Sequence, residues 1–130
     1  MAFYLQIIAV DRVFFEGEVN KIILKGIEGE LAVLPHHTPL TTTLVEGEVK
    51  IFLEDNTKRS ASLMGGFVKI GKEKTVILTE AAEWPEEIDL ERALAAKERA
   101  EKMFKDSNAN QARAMAAMRR ALVRLDLTKQ

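Results

Sequence analysis

Hydrophobic and polar residues alternate along the first two thirds of the chain. The alternation is clearest in two segments, at Phe3, Leu5, Ile7 and Ala9 and again at Val49, Ile51 and Leu53. A period of two places such residues on one face of a β-strand. The N-terminal part, residues 1–84, is therefore predicted to be built from strands.

Short turn signals divide this part of the chain into many pieces. They are glycines, or aspartate followed by asparagine, and they stand at Gly17, Gly26, Gly29, Gly47, Asp55, Asn56, Gly65, Gly66 and Gly71. Their close spacing predicts about eight to ten strands, arranged as an antiparallel β-sandwich or a flattened barrel.

After Pro85 the hydrophobic period changes to 3.6, which is typical of helices. The sequence KDSNAN separates two helical segments, and such a short break predicts an antiparallel two-helix hairpin over residues 85–130. Asp89 is the predicted N-cap of the first helix, and Ser107 or Asn108 that of the second. The predicted fold class is α+β, with a β-sandwich followed by a helical hairpin.

Composition and charge exclude several classes of protein. The chain has 130 residues and no cysteine, which excludes disulfides, thiolate metal sites and cysteine nucleophiles. Its formal net charge of -1 gives no global sign of nucleic-acid binding. No stretch approaches the roughly 18 apolar residues that span a bilayer, and the N-terminus lacks the features of a signal peptide. We expect a protein that stays on the cytosolic side.

The second helix is predicted to have two different faces. On a helical wheel one side carries apolar residues and the other carries arginines, namely Met115, Met118, Leu122 and Leu125 against Arg113, Arg120 and Arg124. Residues 106–130 contain five basic and two acidic side chains, whereas residues 83–105 contain five basic and seven acidic ones. The hairpin is therefore polarised in charge.

Alanine is abundant in the hairpin, with ten alanines from Ala93 to Ala121. Alanine has the highest helix propensity but the least apolar surface, so each helix can persist while the contacts between helices bury little. This predicts a hairpin that detaches from the sandwich without unfolding. The alternative interpretation is that alanine only allows close helix packing.

The segment GELAVLPHHTPL resembles a signature segment of the epsilon subunits of rotary ATP synthases, which usually reads closer to G-E-L-G-I-L-P-G-H-x-P-L. The matching positions are Gly29, Glu30, Leu31, Leu34, Pro35, His37, Pro39 and Leu40. The chain departs from the pattern at Ala32 and His36, where glycine is common. SLMGGFVKI and TVILTEAAE resemble two later segments of the family, so the resemblance extends over essentially the whole chain.

The adjacent histidines His36 and His37 raise the question of a metal site. Neighbouring side chains in an extended chain point to opposite faces, and the chain has no other histidine and no cysteine. The family resemblance implies no metal in this segment. We therefore predict that both are loop histidines and that the protein has no metal site.

The segment IDLERA is similar to the I/L-D-x-x-R-A pattern of bacterial family members that bind ATP. The resemblance implies that ATP is a regulatory ligand of the hairpin, and it leaves open whether magnesium accompanies the nucleotide. Adenine would lie near Ile88, Asp89 and Glu83, and the phosphates near arginines of both helices. The implied site consists of Glu83, Ile88, Asp89, Arg92, Ala93, Arg99, Arg120 and Arg124.

The same residues also have a purely structural interpretation. Asp89 would then only cap a helix, and Arg92 and Arg99 would pair with Glu98 or Glu101. The chain contains no G-x-x-x-x-G-K-[ST] loop, so we expect no nucleotide hydrolysis at this site.

The resemblance implies a non-catalytic subunit in the central stalk of a proton-translocating ATP synthase. Its partners would be the gamma subunit and the ring of c subunits. In an extended state the hairpin would inhibit ATP hydrolysis by contacting the alpha and beta subunits through Arg113, Arg119, Arg120 and Arg124. The expected location is the cytoplasmic face of the bacterial cell membrane, peripheral and attached only through the complex.

Two other classes of function stay open at this point. The basic second helix could bind the phosphate backbone of a nucleic acid, although it lacks aromatic residues for base stacking. A small β-sandwich enzyme could use His36, His37 and Glu30, but the sequence offers no recognisable nucleophile with a base and an orienting group. We expect neither nucleic-acid binding nor catalysis.

Overall fold

The computed structural model describes residues 1–129. The elements follow in the order β1 (Phe3–Ala9), β2 (Val13–Gly26), β3 (Gly29–Val33), β4 (Leu40–Leu53), β5 (Lys58–Ile70), β6 (Lys74–Thr79), β7 (Ala82–Glu83), a 3-10 turn (Pro85–Glu87), α1 (Leu90–Lys105) and α2 (Gln111–Thr128). The predicted α+β class, with strands followed by a two-helix hairpin, is confirmed. The predicted boundary between residues 84 and 85 stays a prediction, and Gln130 lies outside the described residues.

Five strands close into a ring in the order β1, β6, β5, β4, β2 and back to β1. β3 extends the ring beside β2, and the short β7 pairs with β5. The apolar positions of the alternating pattern point inward, and the fully buried side chains include Leu5, Ile7, Ile22, Val49, Ile51 and Ile77. Burial of this apolar surface is the main stabilising contribution to the N-terminal part.

The structure has seven strands among residues 1–129, where eight to ten were predicted. Gly17, Gly47 and the pair Gly65–Gly66 do not mark turns but lie inside β2, β4 and β5, which are 13 or 14 residues long. Glycine lets these strands bend or pass close to neighbours: a Cβ atom at Gly47 would lie 2.8 Å from the Cβ of Lys25. The prediction counted bent strands as pairs of short ones.

The strand pairing is antiparallel, as predicted, except at one pair of strands. β1 pairs in parallel with β6, whereas its other neighbour, β2, is antiparallel. A parallel pair needs a long connection between its strands, and here the chain from β2 to β5 supplies it.

The segment between β3 and β4 contains a tight turn, and His36 occupies the position in it where the family pattern has glycine. The amide of His37 donates to the carbonyl of Leu34 over 3.2 Å, and His36 has a φ angle of 65°. This left-handed conformation favours glycine, which is the residue that the family pattern has at this position.

Replacing His36 with glycine is expected to stabilise the protein by about 0.5–1 kcal/mol. Glycine removes the cost of holding a side-chain-bearing residue in the left-handed conformation, and this gain exceeds the extra conformational entropy that glycine loses on folding. The control is His37→Gly, since His37 has no positive φ and gains nothing from glycine. Thermal unfolding followed by circular dichroism checks the pair. A lower midpoint for His36→Gly would contradict this explanation of the turn.

The N-terminus of each helix has a side-chain cap. Asp89 caps α1 by accepting a hydrogen bond from the amide of Arg92 at 3.1 Å, as predicted. The cap of α2 is Asn110 and not Ser107 or Asn108. The prediction failed because Asp106 holds a turn that includes the amides of Asn108 and Ala109, so the helix begins later.

The hairpin lies on the outside of the ring, with α2 against β4 and β5 and with α1 packed on α2. Both helices bury alanines where the hairpin packs, namely Ala93 and Ala100 of α1 and Ala114 and Ala121 of α2. The predicted apolar face of α2 is only partly buried. Met115 is 51% exposed and Leu122 is 41% exposed, whereas Ala114 and Ala121 of the same helix are buried.

Candidate functional site

The segment that joins the strands to the hairpin is firmly attached to the strand ring. The ring of Trp84 stacks on Phe14 with centroids 4.3 Å apart, and the guanidinium carbon of Arg59 lies 3.7 Å from the Trp84 centroid. The Oε1 atom of Glu87 accepts hydrogen bonds from the Trp84 amide at 2.9 Å and from Arg12 Nη2 at 2.8 Å. The 3-10 turn is thus held by stacking, by cation–π contact and by an ion pair.

The charges of this attachment are stable at neutral pH. The hydrogen bond from Arg12, followed by that from the Trp84 amide, lowers the pKa of Glu87. The hydrogen bond to Glu87 in turn raises the pKa of Arg12. Beyond Glu87 the backbone is extended at Ile88 and Asp89 before α1 begins.

A cleft of about 240 Å³ lies between this segment and the two helices. It is lined by Glu83, Glu87, Asp89, Arg92, Ala93, Ala96, Arg99 and Arg124. Six of the eight residues predicted for the nucleotide site therefore meet in one place, whereas Ile88 and Arg120 do not line the cleft.

Glu87 and Ala96 also line the cleft but were not among the predicted residues. Ala96 follows Ala93 by three positions, and the helical repeat alone places both on one side of α1. Glu87 is brought in by the 3-10 turn, for which the periodicity of the sequence gave no signal.

Two of the cleft arginines have no carboxylate partner. The side chains of Arg92 and Arg99 are exposed, and within residues 1–129 neither forms an ion pair. The alternative in which they pair with Glu98 or Glu101 is wrong, since Glu101 instead lies 3.8 Å from Lys97. These guanidinium groups are available to an anionic ligand.

The third cleft arginine is already bound to a carboxylate. Arg124 Nε donates to Glu83 Oε1 at 2.6 Å, and both side chains are less than one third exposed. This ion pair joins α2 to β7. A second cleft of about 390 Å³ shares this pair and is lined by Asp11, Arg12, Ala81, Ala82, Glu83, Glu87 and Arg124.

The other arginines of α2 point away from the cleft. Arg119 Nε donates to Glu46 Oε1 at 3.0 Å, and Arg120 Nη1 lies 4.0 Å from Glu46 Oε2. Arg113 is exposed and forms no ion pair with any residue up to position 129. Three of the four arginines of α2 thus contact carboxylates of the strands, with Glu46 shared by two of them, which weakens the case for a nucleic-acid surface on this helix.

The pKa of Glu46 lies below its usual value. Partial burial raises the pKa, but a backbone hydrogen bond and Arg119 outweigh that effect. A carboxylate with a lowered folded-state pKa contributes its stability above the unfolded pKa and loses it as the pH falls through the folded pKa. The contact between Glu46 and α2 is therefore complete at neutral pH and is lost only in acid.

The remaining candidate chemistry of the sequence does not assemble into a site. No three metal-ligating side chains of residues 1–129 lie close enough together to hold an ion. The Nδ1 atom of His37 lies 2.6 Å from the Thr38 carbonyl oxygen, and His36 occupies the turn. Glu30 is exposed on β3. Across the same residues no helix is long and apolar enough to cross a membrane.

Comparison with known proteins places both parts of the chain in one family. Residues 2–85 match the β-sandwich domain of the ATP synthase delta/epsilon chain, and residues 86–129 match its long α-helix domain. The fold and the two matches define a delta/epsilon-type chain. The ATP synthase epsilon chain of Acetobacterium woodii, named as sodium ion specific, is 50% identical over 104 residues, which cover 80% of this chain and 78% of that protein. The chain belongs to the family of epsilon subunits of the F-type ATP synthase.

Solved structures share the fold. A chain in the mitochondrial ATP synthase of Euglena gracilis, in an assembly of OSCP, F1 and c-ring, superposes with a TM-score of 0.85 at 23% identity. The match covers 99% of this chain and 82% of that one. A chain of the central stalk and c-ring of the Tetrahymena thermophila mitochondrial ATP synthase gives a TM-score of 0.64 at 16% identity, covering 99% and 96%.

Proposed function

We propose that the chain is a non-catalytic rotor subunit in the central stalk of a bacterial ATP synthase. The strand ring would bind the gamma subunit and the c-ring, and it would transmit rotation between them and the catalytic head. Family membership supports this proposal, as do the two structural neighbours, which come from assemblies that contain the c-ring. Sodium specificity is a property named for the Acetobacterium protein. For the ATP synthase that contains this chain we propose that the translocated ion is the proton. The expected location is the cytoplasmic face of the membrane, peripheral and through the complex.

We further propose that the cleft binds ATP as a regulatory ligand. The observation that carries this proposal is the meeting of Arg92, Arg99 and Arg124 from two helices with the carboxylate of Glu83 from the strand side. Guanidinium groups bind phosphates through paired hydrogen bonds. Carboxylates nearby accept hydrogen bonds from the exocyclic amino group of adenine. Both halves of ATP therefore find chemical partners around one cleft, and binding would redirect the ion pair between Arg124 and Glu83 toward the ligand.

The dimensions of the cleft suggest how the nucleotide would lie. Its volume of about 240 Å³ is below the roughly 300 Å³ at which typical ligand pockets begin, so part of the nucleotide would remain outside. Arg92 and Arg99 are seven residues apart on α1, which corresponds to about 10 Å along the helix. We propose that the base enters the cleft and that the triphosphate follows this face of α1. Arg120 stays a proposed contact only through a rearrangement, since it now faces Glu46.

ATP would regulate the position of the hairpin because the cleft is composite. Glu83 and Glu87 belong to the attached strand side, whereas Asp89 and the arginines belong to the hairpin. A ligand that needs both sides favours the docked hairpin, and at 100 times its dissociation constant it contributes about 2.7 kcal/mol. That contribution shifts a two-state balance by roughly a hundredfold. We propose that the chain bends at Ile88 and Asp89, next to the attached turn.

Without ATP, the hairpin would extend and inhibit ATP hydrolysis. Its arginines, Arg113, Arg119, Arg120 and Arg124, would then contact acidic residues of the alpha and beta subunits. Three of these four face carboxylates of the chain itself in the docked state, which supports their use in a second set of ion pairs. High ATP would thus keep the inhibitor docked.

Calorimetric titration of the isolated protein with ATP, ADP, GTP and inorganic triphosphate tests the proposal. We expect ATP to bind, and we expect GTP to bind at least about tenfold more weakly, because guanine presents an acceptor where adenine presents a donor. Triphosphate alone should also bind more weakly. Equal binding of ATP and triphosphate would contradict base recognition, and no binding of ATP at millimolar concentration would contradict the regulatory role.

A further inference from the structure

Glu46 contacts two neighbouring arginines of the hairpin from the middle of β4. Its two carboxylate oxygens face Arg119 Nε at 3.0 Å and Arg120 Nη1 at 4.0 Å. The Glu46 side chain is only 16% exposed, whereas the two arginines are 47% and 40% exposed. A mostly buried carboxylate of the strand ring thus contacts two half-exposed arginines of the hairpin, the part that we propose to move.

The contact is separate from the cleft. Glu46 does not line either cleft, and the other ion pair between the ring and α2, Arg124 with Glu83, lies one turn further along the helix from Arg120. Within residues 1–129, ion pairs join α2 to the strands at these two positions. The Arg124 pair lies at the proposed nucleotide site. The contact of Glu46 with Arg119 is therefore independent of a nucleotide, whereas its contact with Arg120 would end if Arg120 turned toward the ligand.

We propose that Glu46 is an internal competitor that holds Arg119 and Arg120 in the docked state and thereby withholds them from an acidic surface of a partner. The proposal rests on the mobile hairpin of the proposed function. In the docked state Arg119 is hydrogen-bonded to Glu46 and Arg120 lies within ion-pair distance of it, so both arginines must leave this carboxylate before they contact another one. Undocking exchanges one carboxylate partner for another instead of exposing unpaired charge.

Paired spin labels test this proposal in the full chain. The protein has no cysteine, so Lys72→Cys in a ring loop and Ser107→Cys at the tip of the hairpin introduce the two thiols that carry the labels. Distance distributions measured without nucleotide give the ratio of undocked to docked molecules. Glu46→Gln keeps the shape of the side chain but removes its charge, and we expect it to raise this ratio about five- to tenfold, as for a partly buried ion pair.

Glu54→Gln is the matched control, because Glu54 is an exposed glutamate just beyond β4 that faces no arginine of the hairpin in the described structure. It should leave the distances unchanged. A double variant, Arg119→Gln with Arg120→Gln, approaches the same contact from the other side and should open the hairpin as Glu46→Gln does. Reversal of all three charges, Glu46→Arg with Arg119→Glu and Arg120→Glu, should restore docking.

The outcomes separate this proposal from the proposed function. If Glu46→Gln and the double arginine variant both keep the docked distances of the unsubstituted protein, Glu46 is not a competitor and the inference is overturned. Equal opening by Glu54→Gln would also overturn it, since only total charge would then matter. The effect of added ATP on the unsubstituted protein tests the nucleotide switch independently, because the comparison of variants needs no nucleotide.

Discussion

Arg92→Ala is expected to weaken ATP binding about 10- to 100-fold, the value of one charge-assisted contact of roughly 1.5–3 kcal/mol. Arg92 lines the cleft, its side chain is exposed, and within residues 1–129 it has no ion-pair partner. Its removal therefore takes away a ligand contact without breaking a contact of the folded protein. Calorimetric titration gives the affinity, and circular dichroism should show an unchanged unfolding midpoint.

Two further variants separate the contribution of geometry from that of charge. Arg92→Lys keeps the charge but loses the planar pair of donors, so we expect an intermediate affinity. Lys102→Ala removes one positive charge from an exposed position of the same helix outside the cleft, and it should leave the affinity unchanged. An affinity of Arg92→Ala equal to that of the unsubstituted protein would reject the assignment of this site.

Gly66→Ala is expected to destabilise the protein by about 4 kcal/mol or more, which lowers the unfolding midpoint by about 10–20 °C. Gly66 has a φ angle of 115°, and an added Cβ atom would lie 1.9 Å from the carbonyl oxygen of Leu78. The contacting atom belongs to the backbone of β6, so relief requires the strands to separate. Thermal unfolding by circular dichroism measures the effect.

Gly29→Ala is the matched control for Gly66→Ala. Gly29 has a similar φ angle of 123°, but an added Cβ atom would meet nothing within 4 Å. It should therefore cost only the backbone strain of about 1–3 kcal/mol. The difference between the two variants isolates the steric contact between β5 and β6. Equal midpoints would show that strain alone decides and that the close approach is unimportant.

Elements with strong periodicity were predictable from the sequence. The alternating residues of β1 and β4, the break between the helices and the cap at Asp89 are local features, and local patterns determine them. Bends inside long strands were not predictable, because a glycine such as Gly66 looks the same in a turn and in a bent strand. Only the position of β6 beside it distinguishes the two.

The candidate site was predictable to the extent that one helix carries it. Asp89, Arg92 and Arg99 follow from the motif and the helical repeat, and all three line the cleft. The partners of the α2 arginines depend on how the hairpin docks on the strand ring, and local sequence patterns carry no information about that docking. The sequence therefore placed Arg120 beside Arg124 at the ligand, whereas the structure turns Arg120 toward Glu46.

Ring closure has a consequence for the hairpin movement that we propose. Each of the five ring strands pairs with a ring neighbour on both sides over part of its length, and among residues 1–129 the strands that lack a neighbour along one whole edge are the short β3 and β7. Open strand edges are templates on which other chains add strands and aggregate. A departing hairpin would uncover side chains of β4 and β5 but no long strand with a whole edge unpaired, so repeated movement would carry little risk of self-association through the sheet.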